Sequence, residues 1–279
     1  MGLFAAVRGY NIALLVLAQY LTALYILAPQ LPFLTVLLDG QLFALVVATA
    51  LTVAAGFIIN NFYDAEKDRI NHPQKYFLEH LLSQRSQWQL YFLLNGLALL
   101  VAVFVSFKAL LFFGCYMGGI WIYSSSLKRL FWASNAIAAT LMVFPFFAIT
   151  LYYQNFQWLI FYHALYLFFL ILIRDIIKDL ENYKGDWVNH YRTLPVVFGH
   201  NPTKIILSVL IVLTYFPVFW LINLGLGLMV CYYYWSLLFL AILSVILWWG
   251  STQKTYLWLH NLLKAHLLLG VLGICFMYK

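Results

Sequence analysis

The stretch Asn60-Asn61-Phe62-Tyr63-Asp64-Ala65-Glu66-Lys67-Asp68-Arg69-Ile70-Asn71-His72-Pro73 follows directly on the apolar run Gln41 to Ile59, and the rest of the chain is organised around it. Of only nine acidic side chains in 279 residues, Asp64, Glu66 and Asp68 fall in these fourteen positions. Four more, Asp175, Asp179, Glu181 and Asp186, form a second cluster at the end of another apolar run. Asn60, Asp64 and Asp68 are four residues apart and so share one face of a helix; Asp175 and Asp179 repeat the spacing. Like charges so placed repel each other, and the arrangement is mildly destabilising unless a cation sits between them. Oxygen-only sets suit a hard cation such as magnesium, which takes one or two carboxylates and completes its shell with water and phosphate oxygens. The pattern predicts two carboxylate sets facing a shared phosphate.

The composition, 65% hydrophobic and 9% charged, excludes a soluble globular domain. Crossing a hydrocarbon core of about 30 Å takes about 20 helical residues. Runs of that kind fall near 9–28, 41–60, 88–107, 109–127, 135–153, 157–175, 203–223, 227–249 and 258–277. The expected fold is therefore all-α and polytopic, a single domain over 1–279 with nine transmembrane helices around a central cavity. The first run is full length and lacks a small-residue cleavage site, so it reads as an anchor that stays. Cys115, Cys231 and Cys275 fall within spans without metal-ligand spacing and read as small packing residues.

Lysine and arginine set the orientation. With nine alternating spans, Arg8, Lys67, Arg69, Lys75, Arg85, Lys128, Arg129, Arg174, Lys178, Lys184, Arg192, Lys204 and Lys254 flank one side, against Lys108 and Lys279 on the other. The positive-inside rule makes the first side cytoplasmic, together with the N-terminus, both acidic clusters and the mouth of the cavity. The chain is thus expected in the cell (inner) membrane, and its net charge of +7 requires no nucleic acid, because the excess faces anionic headgroups or diphosphates.

Both acidic spans run past what the membrane requires. The second continues to about Ile70, where Asn71-His72-Pro73 stops it; the sixth continues to near Gly185-Asp186. Four spans separate the two acidic ends, which suggests a 4+4 internal pseudo-repeat plus a ninth helix. The polar connection 74–87, with Lys75, Glu79, His80 and Arg85, has the length of a functional lid. Tyr123-Ser124-Ser125-Ser126-Leu127-Lys128-Arg129 closes span four, read either as a positive-inside anchor or as a cationic clamp on an anion, and Asn135 opens span five. Asp39, in the turn before span two, reads as a solvated loop charge. His260, Lys264 and His266 are the ionisable residues of the last span and read as cavity or interface residues.

These motifs resemble those of the UbiA superfamily of intramembrane prenyltransferases. The first motif of that family, N-x-x-x-D-x-x-x-D, is matched by Asn60, Asp64 and Asp68. The second is matched by Asp175 and Asp179, with a further acidic position met by Asp186. The Tyr-Ser-x-x-Leu-Lys pattern is met at Tyr123, Ser124, Leu127 and Lys128, and a Thr-Leu-Pro run at Thr193 to Pro195. Many relatives carry Asp where Asn61 and Asn182 stand, and an Arg-Pro-rich segment where this chain reads Gln74-Lys75-Tyr76-Phe77. Among subfamilies, the Asp-Arg-Ile-Asn-x-Pro and Arg-Asp-Ile-Ile-Lys-Asp runs are most similar to the digeranylgeranylglyceryl phosphate synthase and chlorophyll synthase branch.

The resemblance implies magnesium-dependent transfer of a prenyl group from an isoprenyl diphosphate to a lipophilic or aromatic acceptor, such as a quinone precursor or a prenylglycerol phosphate, in contact with membrane lipid. Asn60, Asp64 and Asp68 would hold one magnesium and Asp175 and Asp179 a second, with Asp186 completing the second metal shell or the acceptor site. Lys128, Arg69, Lys178 and Arg174 would contact the diphosphate. Of 54 aromatic residues, Tyr63, Tyr123 and Tyr183 stand beside the motifs and are the candidates to line the substrate pocket. The competing reading is a cation- or proton-coupled secondary transporter, whose carboxylates would line an ion path. Against it, both acidic sets are expected at one membrane face instead of the midplane.

Overall fold

The computed structural model describes residues 7–71, 76, 83–131, 133–188 and 190–277, with the side chains at 66, 67, 68, 70 and 71 excepted. The long helices are α1 (Gly9–Thr22, extended by a π-helical turn Ala23–Leu27), α2 (Gly40–Asn71), α3 (Gln84–Val105), α4 (Phe107–Ser125), α5 (Ser134–Tyr153), α6 (Trp158–Val188), α7 (His200–Asn223), α8 (Met229–Trp249) and α9 (Gln253–Gly273). Nine helices among the described residues are long and apolar enough to cross a membrane, and each coincides with one expected span.

Local chemistry sets the helix starts. Ser83 and Ser106 place their hydroxyls on the N–H groups of Ser86 (3.1 Å) and Ala109 (3.0 Å), and Thr252 does the same for Thr255 (3.2 Å), each satisfying a donor that the first turn leaves open. Asp39 departs from its expected role as a solvated charge. One carboxylate oxygen accepts from the N–H groups of Gln41 (2.9 Å) and Leu42 (3.2 Å), capping α2, and the other accepts from the Tyr152 hydroxyl at 2.7 Å. The polar segment 84–87 is likewise no loop but the first turn of α3, held by its Ser83 cap. The remainder of the expected lid, at 74–75 and 77–82, lies outside the described residues.

Two compact units divide the chain, one comprising Met1–Lys128 and Phe144–Asn155, the other Arg129–Val143 and Phe156–Lys279. The boundary falls inside α5, so these units do not follow a grouping of spans one to four, five to eight and nine. In the first unit α2 is the central element, packed against α1, α3 and α4. Near its motif end Ala55, Ile58 and Ile59 form a core with Tyr91 of α3, and Trp88, Leu94 and Ile120 pack around it. Gly56 lets α4 come close, because a methyl group there would meet Ile120 at 3.2 Å. On the other flank Gln19 donates from its buried amide to Thr49 (3.2 Å) and to the Pro145 carbonyl (3.1 Å), as an intramembrane polar side chain must.

The second unit is built on α6, which packs against α7 and α9, with α8 against both of those. A short helix Leu194–Phe198 returns the chain from α6 to α7. α6 continues to Val188, two residues past the expected stop at Gly185-Asp186, and Asp186 is fully buried there. Inside this unit Tyr166, Tyr232 and Ser236 surround His266, whose Nε2 lies 2.9, 3.3 and 3.1 Å from their hydroxyls. The cysteines are free, and Cys115 and Cys231 are exposed instead of packed as expected.

Candidate functional site

In the first unit, Asn60 and Asp64 lie one helical turn apart on α2 beyond its apolar section. The chain leaving α4 makes a 3-10 turn at Leu127–Arg129, which delivers Lys128 to both of them. Its ammonium donates to Asn60 Oδ1 at 3.0 Å and forms an ion pair with Asp64. The pair is largely enclosed, the Lys128 and Asp64 side chains being 25% and 15% exposed. Lys128 was expected as an anion clamp and is indeed at the first motif, but its contacts here are with the motif's own oxygens.

The backbone of Asp68 continues the α2 face of Asn60 and Asp64, while its side chain lies outside the described ones. Arg69 in the last turn is exposed, as is Tyr63, and Tyr123 is half-buried. Asn61 is 2% exposed. A neutral amide at so buried a position costs less to desolvate than a carboxylate would.

In the second unit, Arg174 lies against its neighbour Asp175, with Nε at 3.0 Å and Nη2 at 2.7 Å from the same oxygen. Asp179, one turn on, accepts from the side-chain amide of Asn135 at 2.7 Å. Asn135 was read only as the opening of span five. The available signal was an amide in the first turn of an otherwise apolar helix, but its partner is 44 residues away and cannot be named from spacing.

Lys178 is exposed, and the Tyr183 ring lies against His200 tilted by 56°, with ring centres 4.4 Å apart. Glu181 turns away from the aspartates to face His260 Nδ1 at 3.2 Å. Among the described residues no three Asp, Glu, His or Cys side chains converge on one point, so Asp186, fully buried, does not join Asp175 and Asp179 in a three-carboxylate cluster.

The donor set fits a hard divalent cation. It consists of oxygens only, and Asn60 and Asp64 already hold a cationic group, the Lys128 ammonium. Magnesium in particular binds through one or two carboxylates and takes its other ligands from water and substrate phosphate.

The sequence profile of the UbiA prenyltransferase family matches residues 16–268. Among curated relatives, the digeranylgeranylglyceryl phosphate synthase of Saccharolobus solfataricus is 31% identical over 175 residues, covering 61% of this chain and 62% of that protein. The enzyme of the same name from Korarchaeum cryptofilum is 28% identical over 244 residues, 85% of each chain. The chain thus spans somewhat less than two thirds of the Saccharolobus enzyme and most of the Korarchaeum one. Among solved structures, one of a digeranylgeranylglyceryl phosphate synthase superposes with a TM-score of 0.77 at 18% identity, covering 98% of this chain and 96% of that one. A UbiA homologue from Archaeoglobus fulgidus bound to GPP and Mg2+ gives 0.69 at 18% identity, covering 99% and 100%. At such identities the superpositions establish a common fold.

Proposed function

The chain belongs to the UbiA prenyltransferase family, and from that membership we propose that this integral membrane protein is a magnesium-dependent prenyltransferase. It moves a prenyl group from an isoprenyl diphosphate to a lipid acceptor, a prenylglycerol phosphate. The observation that carries the reading is the state of the two aspartate sets. Each sits at the C-terminal end of a long apolar helix, and each is held by a side chain brought from elsewhere in its own unit: Lys128 on Asn60 and Asp64, Asn135 on Asp179. The names of the curated relatives support the lipid acceptor over an aromatic one. The Archaeoglobus homologue bound to GPP and Mg2+ supports the donor class and the metal.

In this reading Asn60, Asp64 and Asp68 hold one magnesium and Asp175 and Asp179 another. Bound there, the metal supplies Lewis-acid stabilisation of the negative charge that builds on the departing diphosphate. Lys128, Arg69, Lys178 and Arg174 contact phosphate oxygens directly and stabilise the same charge. The allylic C–O bond breaks with its electron pair passing to the diphosphate, the acceptor hydroxyl oxygen bonds to the freed carbon, and its proton passes to the departing diphosphate. Tyr63 and Tyr123 face the allylic end, where a ring attracts developing positive charge by about 0.5–2 kcal/mol. Tyr183, beside the second motif and against His200, is the third aromatic candidate for the substrate pocket. The lysine and arginine excess beside the motifs supports a site on the cytoplasmic face of the inner membrane.

The test uses purified protein in lipid nanodiscs, radiolabelled prenyl diphosphates of several lengths, and either a prenylglycerol phosphate or a phenolic acceptor, with and without magnesium. The reading requires magnesium-dependent release of diphosphate with label appearing in the glycerol ether. Label in the phenol alone would overturn the acceptor, and absence of diphosphate release would overturn the activity.

A further inference from the structure

We infer that Lys128 is a placeholder for the metal. Its ammonium occupies the Asn60–Asp64 oxygens in the donor-free protein, and it moves to the substrate diphosphate when metal and donor arrive, so that the first site takes up its metal together with the donor. This rests on the assignment of Asn60 and Asp64 as metal ligands.

The geometry leaves little alternative if those residues do bind metal. Lys128 Nζ stands 3.0 Å from Asn60 Oδ1 and is ion-paired to Asp64 Oδ2. A magnesium ion shared by the same two oxygens would lie about 2.1 Å from each, which puts it in the volume the ammonium now fills. Two cations at that separation, in a place where the Lys128 and Asp64 side chains are only 25% and 15% exposed, repel strongly because little water screens them. One of them has to leave.

Lysine is suited to leaving. Its charge is a compact ammonium on a four-carbon stem that reorients without moving backbone, and it is attached to a 3-10 turn just beyond the end of α4. What decides whether it leaves is the presence of another anion to receive it. A hydrated metal ion brings none, so on its own it trades one cation for another at these two oxygens. A diphosphate brings several acceptor oxygens, and its arrival both draws Lys128 away and supplies the remaining ligands of the metal. Linkage makes the effect reciprocal: donor raises metal affinity by the factor by which metal raises donor affinity. In the resting protein the same ammonium neutralises the Asp64 carboxylate.

The inference predicts opposite signs for two ligands. In the near-isosteric Lys128→Met and in the neutral polar Lys128→Gln, the donor-free full-length protein in nanodiscs should bind Mn2+, followed by electron paramagnetic resonance, about tenfold more tightly than wild type, the equivalent of one decade of charge coupling. The enhancement of Mn2+ binding by inorganic pyrophosphate, large in wild type, should shrink in both variants, while Lys128→Arg should retain the wild-type pattern. Adding Asp64→Asn to Lys128→Met should abolish the tightened class. Unchanged or weaker donor-free Mn2+ binding in the two neutral variants would overturn the placeholder role while leaving the metal assignment standing. If no Mn2+ binds to any of these proteins, even with pyrophosphate, the metal assignment itself falls and the inference with it.

Discussion

Asn135→Ala should raise the magnesium concentration needed for turnover without greatly lowering the rate at saturation. The Asn135 amide donates to one oxygen of Asp179 at 2.7 Å, fixing the carboxylate plane so that the other oxygen is presented in one direction. A hydrogen bond to a charged acceptor contributes about 1.5–3 kcal/mol net. In the variant, water can take the vacated place, because Asp179 is only half-buried, so the loss should fall at or below the low end. About 1.4 kcal/mol corresponds to one decade, within the 10–100-fold range typical when a side chain orienting a metal ligand is removed. The half-saturating free magnesium should therefore rise about tenfold, while kcat extrapolated to saturating metal stays within about threefold of wild type. Initial rates of diphosphate release, measured against buffered free magnesium at saturating donor, separate the two parameters. Asn135→Asp should be worse than Ala, since it sets a like charge against Asp179. A magnesium titration of Asn135→Ala that superimposes on wild type, or a fall in kcat that no amount of metal restores, would refute the orienting role.

Asp64→Asn and Asp179→Asn should each abolish turnover while the purified protein keeps its helical circular dichroism and elution volume; wild-type rates in either would remove both residues from the site. Asp39→Ala should lower stability by about 1–2 kcal/mol, the usual value of a helix cap, read as a drop in unfolding temperature in detergent. Tyr152→Phe should cost less, and the double variant less than the sum, because the two share one hydrogen bond. With the native cysteines replaced, cysteine at Ser126 should react with an impermeant thiol reagent only from the cytoplasmic side and cysteine at Gln30 only from outside; both positions are exposed, and labelling in the opposite sense would invert the topology.

The spans were legible because lipid imposes a single demand, about 20 apolar residues in helix, and the chain meets it nine times among the described residues. The overrun of α2 was legible as well, since His72-Pro73 after Asn71 is local stereochemistry. The Asp39 cap had its local signal too, an aspartate directly before a helical run, but reading it as a loop charge overlooked the first-turn donors that need an acceptor. What spacing could not supply was every pairing across the fold. Lys128 reaches residues 68 and 64 positions earlier, Asn135 one 44 later, and Tyr152 one 113 earlier. Each depends on which helices become neighbours, and apolar runs of near-equal hydrophobicity carry almost no information about that. The end of α6 lies two residues past Asp186, inside the one- or two-residue margin within which helix ends are defined at all.

The placement of ionisable groups also weighs between an enzyme and a coupled transporter. A transporter needs titratable or ion-binding groups near the bilayer midplane and able to change partners. Asp64 stands 24 residues along α2 from Gly40, about 36 Å at 1.5 Å per residue, and Asp179 stands 21 residues along α6 from Trp158, about 32 Å. Each exceeds the roughly 30 Å of hydrocarbon, so each carboxylate sits at the far edge of its own helix's span. The ionisable side chain midway along α9, His266, is committed to a different task. It is stacked between the rings of Tyr232 and Phe239, with centres 4.9 and 4.2 Å away, while three hydroxyls surround its Nε2. An imidazole clamped on both faces and bonded to groups from α6 and α8 serves as polar glue between membrane helices, and rotation to hand on a proton would break every one of those contacts. The charge is gathered where a polyanionic head would meet the membrane surface, and the interior is left to aromatic and aliphatic side chains. That division suits a substrate with a diphosphate at one end and a hydrocarbon tail at the other.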